Sequence, residues 1–222
     1  MLSKLRPFSS PSLSPEDAYR QKFLDNTDEN LFLGSFESFA AAEANAPPSK
    51  AVGYDHAEAA GLYSPQIYFY DYPGLFWLGR SIDAGLTRVF DLGGHIGIKY
   101  YAFRRVLSYP DSLRWTVCDV PSVIEQGRVA VVVGESELAA KPRRIVLNTT
   151  AVHPERTLYT LNSIGVAVCP YRIEHHEGLL ATLTQAGYKR RDVWRNEGKP
   201  IEVPFVSGGD LPYYAGCCFD LA

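Results

Sequence analysis

The stretch RVFDLGGHIGIKYYAF, Arg88 to Phe103, constrains the fold more than any other part of this chain. An apolar segment runs into an acid, Asp91, and then into Gly93, Gly94 and Gly97. Glycines so placed let the backbone bend tightly and let a ligand approach main-chain N–H groups. Helical spacing follows, with Ile98, Tyr101, Phe103 and Val106 able to share one broad face. His95 stands in the turn where another glycine would be expected.

A second apolar segment, LRWTVCDVP, also ends in an acid, Asp119. Strand, helix and strand in so short a span is the unit of parallel sheets with right-handed crossovers. Downstream, RRIVLNTT reads as a strand, TLYTLNSIGVAVCPYRI as an extended apolar segment, and EHHEGLLATLTQAGY as a helix ending at Gly187. KRRDVWRN and YYAGCCFDLA read as an antiparallel pair at the sheet edge. Upstream, Ser14 and Pro15 cap and open one helix, another is capped near Ser35, and a third runs from about Tyr72 to Asp83. The expected organisation is a flexible tail over 1–15, a helical N-terminal extension over 16–86, and an α/β domain over 87–222. That domain is expected to be a three-layer Rossmann-like fold with a mostly parallel sheet.

Composition narrows the function classes. A formal net charge of -3 gives no electrostatic footprint for nucleic acid. No apolar run approaches a membrane span, and the opening MLSKLRPFSSPSLSPEDAY lacks the apolar core of a signal peptide. Cys118, Cys169, Cys217 and Cys218 lack metal-ligand spacing, so free thiols in a reducing cytoplasm are expected. No metal is expected, and the chain is expected to act as a monomer or homodimer on a small-molecule acceptor.

The glycine turn fails two familiar templates. Gly94 is followed by His95 and Ile96, which breaks the dinucleotide pattern G-x-G-x-x-G, and no Lys-Ser or Lys-Thr follows for a P-loop. Open α/β sheets bind ligands at the carboxyl ends of their strands. There, Asp119 can accept two hydrogen bonds from a ribose diol, while Asp91 can orient the loop or meet a cationic amino group through water. A ligand with a ribose, an amino-acid tail and no phosphate is S-adenosylmethionine.

The residues FDLGG-x-x-G and CDVPSVIEQGR resemble the class I methyltransferases, close to their small-molecule O-methyltransferases. More narrowly, the chain resembles a bacterial methyltransferase family through DYPGLFWLGR (71–80), the glycine turn (90–103), WTVCDVP (115–121), TLNSIGVAVCPYRI (160–173) and AGYKRRDVW (186–194). The resemblance implies S-adenosylmethionine as methyl donor. It places Asp91, Gly93, Gly94, His95 and Gly97 along the methionine side, Asp119 on the ribose and Val120 near the adenine. Between Gly127 and Arg144 the chain is too short for the strand, helix and strand that the fold ordinarily holds there.

Methyl transfer relies on proximity and alignment, and a hydroxyl acceptor also needs a general base, for which His is suited near neutral pH. His95, His153 and one of His175 or His176 are the candidates, with His56 a weaker one. Tyr72 and Tyr100 are pocket candidates because Tyr offers an apolar face and a hydroxyl; Tyr100 is assigned to the cofactor side and Tyr72, with Asn162, to the acceptor. The leading expectation is O-methylation of a small metabolite or sugar-like acceptor. A non-catalytic cofactor-binding protein, suggested by the short stretch after Gly127, is a second reading. A nicotinamide-dependent oxidoreductase is a third.

Overall fold

The computed structural model describes residues 13–53, 65–119 and 141–222. The chain opens with helix α1 (Pro15–Asp25), strand β1 (Leu31–Phe36), helix α2 (Phe39–Ala44) and the short strand β2 (Ala51–Val52). Helix α3 (Tyr72–Asp83) leads to β3 (Arg88–Leu92), α4 (Ile98–Phe103) and β4 (Arg114–Cys118). Then come β5 (Arg144–His153), β6 (Leu158–Ile164), β7 (Ala167–His175), α5 (His176–Gln185), β8 (Tyr188–Ile201) and β9 (Leu211–Leu221).

Local chemistry explains most boundaries. The Ser14 hydroxyl accepts the Asp17 N–H at 3.1 Å, and Pro15, which has no N–H to satisfy, occupies the first helical position of α1. The second helix is capped by Ser38 rather than near Ser35, so it is shorter than the spacing predicts. Helix α3 ends before Gly85, whose φ of +77° suits a residue without Cβ.

The expected mostly parallel Rossmann-like sheet is not what the chain forms. The main sheet has seven strands in the order β1-β6-β7-β5-β9-β8, with β2 also paired to β7. The pairs β1–β6, β6–β7, β5–β9 and β8–β9 are antiparallel. Parallel pairing is confined to β2–β7, a two-residue contact between β5 and β7, and a separate two-stranded sheet of β3 and β4. The cause lies in the connections. Between β6 and β7 stand only Gly165 and Val166, with Gly165 at φ +57°, and a two-residue turn can join strands only antiparallel. The segment expected to lie extended over the sheet is therefore a hairpin inside it. The expected helical extension is also corrected. It contributes β1, which pairs with β6 at one edge of the sheet, and Phe32 from β1 joins the core of Ala151, Leu158, Ile173 and Tyr214. The expected antiparallel edge pair is present as β8–β9.

Helices cover both faces of the β5–β9–β8 region. On one face α5 packs Leu180 and Leu183 against Leu147, Val193, Cys217 and Phe219. On the other lies α3, where Trp77 donates to Asp192 and Gly74 packs beside Asn148. The alternation of side chains along a strand sends neighbouring residues to opposite helices. Between Leu147 and Thr150 the register shifts, and Thr149 sits at φ +60°, an outlier for a β-branched residue.

Candidate functional site

Five-residue strands β3 and β4 pair in register from Arg88↔Arg114 to Leu92↔Cys118, so their carboxyl ends lie side by side. The ladder continues one step beyond, with the Gly93 N–H donating to Cys118 O at 2.8 Å. The chain then turns through Gly93 (φ +71°), His95 (φ +57°) and Gly97 (φ +81°) into α4. Asp119, just past the end of β4, reaches across and accepts the His95 N–H at 2.7 Å. The two acids singled out in the sequence thus frame one turn.

Asp91 is held from behind. Its Oδ2 accepts the Trp115 indole N–H at 3.1 Å. Trp115 stacks with Tyr109 and packs edge-on against Tyr100. Burial in this aromatic setting pushes the Asp91 carboxyl above its usual range, and the Trp115 hydrogen bond counters only part of that rise. Gly94 is pressed against the same carboxyl, where a Cβ would stand 2.5 Å from Asp91 Cγ. Glycine there serves close packing, whereas at Gly93 no described residue beyond its chain neighbours stands within 4 Å of where a Cβ would be.

Helix α4 adds a residue that the sequence did not single out. Lys99 Nζ lies 2.7 Å from Asp71 Oδ2, and the Asp71 side chain is 3% exposed. The same carboxylate accepts the Tyr68 N–H, tying α4 to the aromatic segment before α3. No local pattern announces a pair so far apart in the chain. Asn148 continues the tie: it donates to Tyr70 O at 3.0 Å and accepts from the Trp194 indole at 3.2 Å.

The other candidates are spread through the fold. His153 is buried at the end of β5. Its Nε2 contacts Gly208 O at 2.9 Å, and its Nδ1 accepts the N–H groups of Glu155 and Arg156, so both ring nitrogens hold loops. His175 ends β7 and His176 begins α5, on the face opposite α3. Burial, first among several influences, lowers the His176 pKa. Asn162 is buried in β6 and donates to Asn30 Oδ1 and Leu31 O, fastening β1 to the hairpin. Tyr72 opens α3 and is 61% exposed. Tyr100 belongs to the aromatic group behind Asp91. The structure brings Asp91, Gly93, Gly94, His95, Gly97, Tyr100 and Asp119 together, leaves His153 and Asn162 in structural contacts elsewhere, and sets His176 at the start of α5. Val120, His56 and the short stretch after Gly127 as far as residue 140 lie outside the described residues.

Among the described residues no group of three His, Cys, Asp or Glu side chains could hold a metal ion. No described helix is long and apolar enough to cross a membrane. No family model, no curated protein and no solved structure matches the chain.

Proposed function

We propose that the chain is an S-adenosylmethionine-dependent methyltransferase acting on an oxygen of a small acceptor. The observation that carries this reading is the turn itself. Gly93, uncrowded by described neighbours, and two acids, Asp91 and Asp119, stand at the adjoining ends of parallel strands. This fits a ligand with a ribose, a cationic amino group and no phosphate. The motif series around the turn in the sequence supports it as well.

In this reading Asp119, at the carboxyl end of β4 beside the turn, binds the ribose hydroxyls. Asp91, fixed by Trp115, orients the turn and faces the amino-acid tail. When bound, the donor supplies a sulfonium methyl group that an acceptor oxygen can displace in line. The chain's part is alignment and proton removal. His95 is the histidine placed in the turn, and it takes the acceptor's proton. Four free thiols suit a reducing, cytoplasmic setting.

Calorimetry with S-adenosylmethionine and S-adenosylhomocysteine tests the reading. Wild type binds both, and Asp119→Ala binds at least about tenfold more weakly. Transfer of a labelled methyl group to a metabolite extract then separates an enzyme from a binder. Absence of binding to either compound, or binding of NADH in their place, would overturn the reading.

A further inference from the structure

Between the second edge of β3 and the start of β5 lies an open cleft of about 760 Å³. That edge of β3 pairs with no strand among the described residues. Helix α3 and the segment after it form its floor with Gly74, Leu78 and Leu86, and Val89, Phe90 and Val146 give apolar walls. A volume of this size suits a small organic molecule.

The charge in the cleft is unequal from end to end. Asp91 lines one end, beside the glycine turn. Arg88, Lys141, Arg143 and Arg144 line the rest, in a chain whose overall formal charge is -3. Arg144 is already committed: it makes two hydrogen bonds to Asp220, at 2.6 and 3.0 Å, and lies over the Trp77 ring. Asp220 has Arg191 against it as well, at 3.3 Å, and feels Arg143 more weakly at longer range. Lys141 donates to a neutral carbonyl, Ala186 O, at 3.2 Å. Among the described residues neither Lys141 nor Arg143 has a carboxylate within ion-pair distance. Arg143 also borders a smaller adjoining cavity of about 390 Å³ that opens beside Asp220 and Leu221.

We propose that this cleft binds a small molecule with an apolar body and a carboxylate or phosphate group, the anion held by Lys141 and Arg143. As the acceptor's site this rests on the methyltransferase reading; as an anion site it does not. Asp91 lies near the carboxyl end of β3, where the cleft meets the glycine turn. An acceptor with its acid between the cations would present its far end to Asp91 and the turn. The substrate class is therefore an organic acid carrying a hydroxyl distal to its acidic group.

Saturation-transfer NMR with 4-hydroxybenzoate, 4-nitrophenyl phosphate and the neutral 4-hydroxybenzamide tests this. The two anions bind wild type and bind the double variant Lys141→Met/Arg143→Met about tenfold more weakly, with binding weakened by added salt. The amide binds both proteins equally. Both side chains are exposed, so circular dichroism of the variant is expected to match wild type. Anions that bind no better than the amide, or that ignore the double substitution, overturn the proposal. Calorimetry with S-adenosylmethionine on both proteins keeps the two readings apart. Anion binding without cofactor binding sinks the methyltransferase reading alone, and cofactor binding without anion preference sinks this one alone.

Discussion

The carboxylate of Asp119 accepts the main-chain N–H of His95 at 2.7 Å, locking the end of one parallel strand to the turn that leaves the other. His95 holds a backbone angle of φ +57°, in the left-handed region that few side chains other than Asn, Asp and His enter readily. The hydrogen bond therefore adds to a conformation that His tolerates better than most side chains. Asp119→Ala leaves that N–H without its acceptor in a half-buried place. Urea unfolding is expected to show a loss of about 1–3 kcal/mol. Unchanged stability would mean that the turn holds itself.

Gly93 and Gly94 are expected to fail differently. Alanine at Gly93 meets no described neighbour but must hold φ +71°, which costs about 1–2 kcal/mol. Alanine at Gly94 would stand 2.5 Å from the Asp91 carboxyl, so that side chain must leave its Trp115 partner. Gly94→Ala should therefore shift tryptophan fluorescence and weaken binding of the proposed S-adenosylmethionine more than Gly93→Ala. Equal effects would remove the packing role assigned to Gly94.

Two carboxylates give opposite pH responses. The Arg144 hydrogen bonds hold Asp220 below the usual carboxylate range, so its contribution is present above that range and is lost as pH falls through the lowered value. The pair is partly exposed and screened by salt, so its worth is about 1 kcal/mol. Asp220→Asn should lose that amount near neutral pH and little in strong acid. Burial raises Asp91, so its protonated form favours the folded state, and stability is lost as pH rises through the raised value. Asp91→Asn, which can still accept from Trp115, should be as stable as wild type or more so at neutral pH while binding the proposed S-adenosylmethionine worse. Stability measured from pH 3 to 8 checks both signs.

Lys99→Met strands Asp71 in an aromatic environment with its main charge partner gone. Fully buried pairs lose about 3–5 kcal/mol when one member is removed, and Lys99 keeps a third of its side chain in water, so about 2 kcal/mol is expected. The double variant Lys99→Met/Asp71→Asn should recover part of the loss in thermal unfolding. No recovery would show that the two residues act separately.

Burial pushes the Cys217 thiol up to about 11 and the Cys218 thiol up to about 12. Neither is a thiolate near neutral pH, and thiolates are the reactive form. Iodoacetamide at pH 7.5 should label both only after unfolding. Prompt labelling of the native protein would contradict the packing of β9.

Some of this fold is legible from the chain alone. Ser14 and Pro15 announce α1, Gly85 announces the end of α3, and the closing runs KRRDVWRN and YYAGCCFDLA announce the β8–β9 pair. Each is a short-range signal in which a few neighbouring residues decide the backbone. The turn from Asp91 to Gly97 belongs with them, because its acid and glycines are adjacent in sequence and act together. His153 marks the opposite case. It looked like a base at a strand end, and its nitrogens instead hold Gly208, Glu155 and Arg156, a role set partly by a loop distant in sequence.

Caps, turns and the glycine turn from Asp91 to Gly97 are thus decided by local sterics and hydrogen bonding, which a linear pattern records. Strand order was decided by tertiary pairing. β1 returns from far upstream to cover the edge of the β6–β7 hairpin, and β9 comes between β5 and β8. The Lys99–Asp71 pair, the aromatic backing of Asp91 and the cation-lined cleft between β3 and β5 have the same origin. Each joins residues whose meeting depends on how whole elements pack, a long-range free energy that no local spacing encodes.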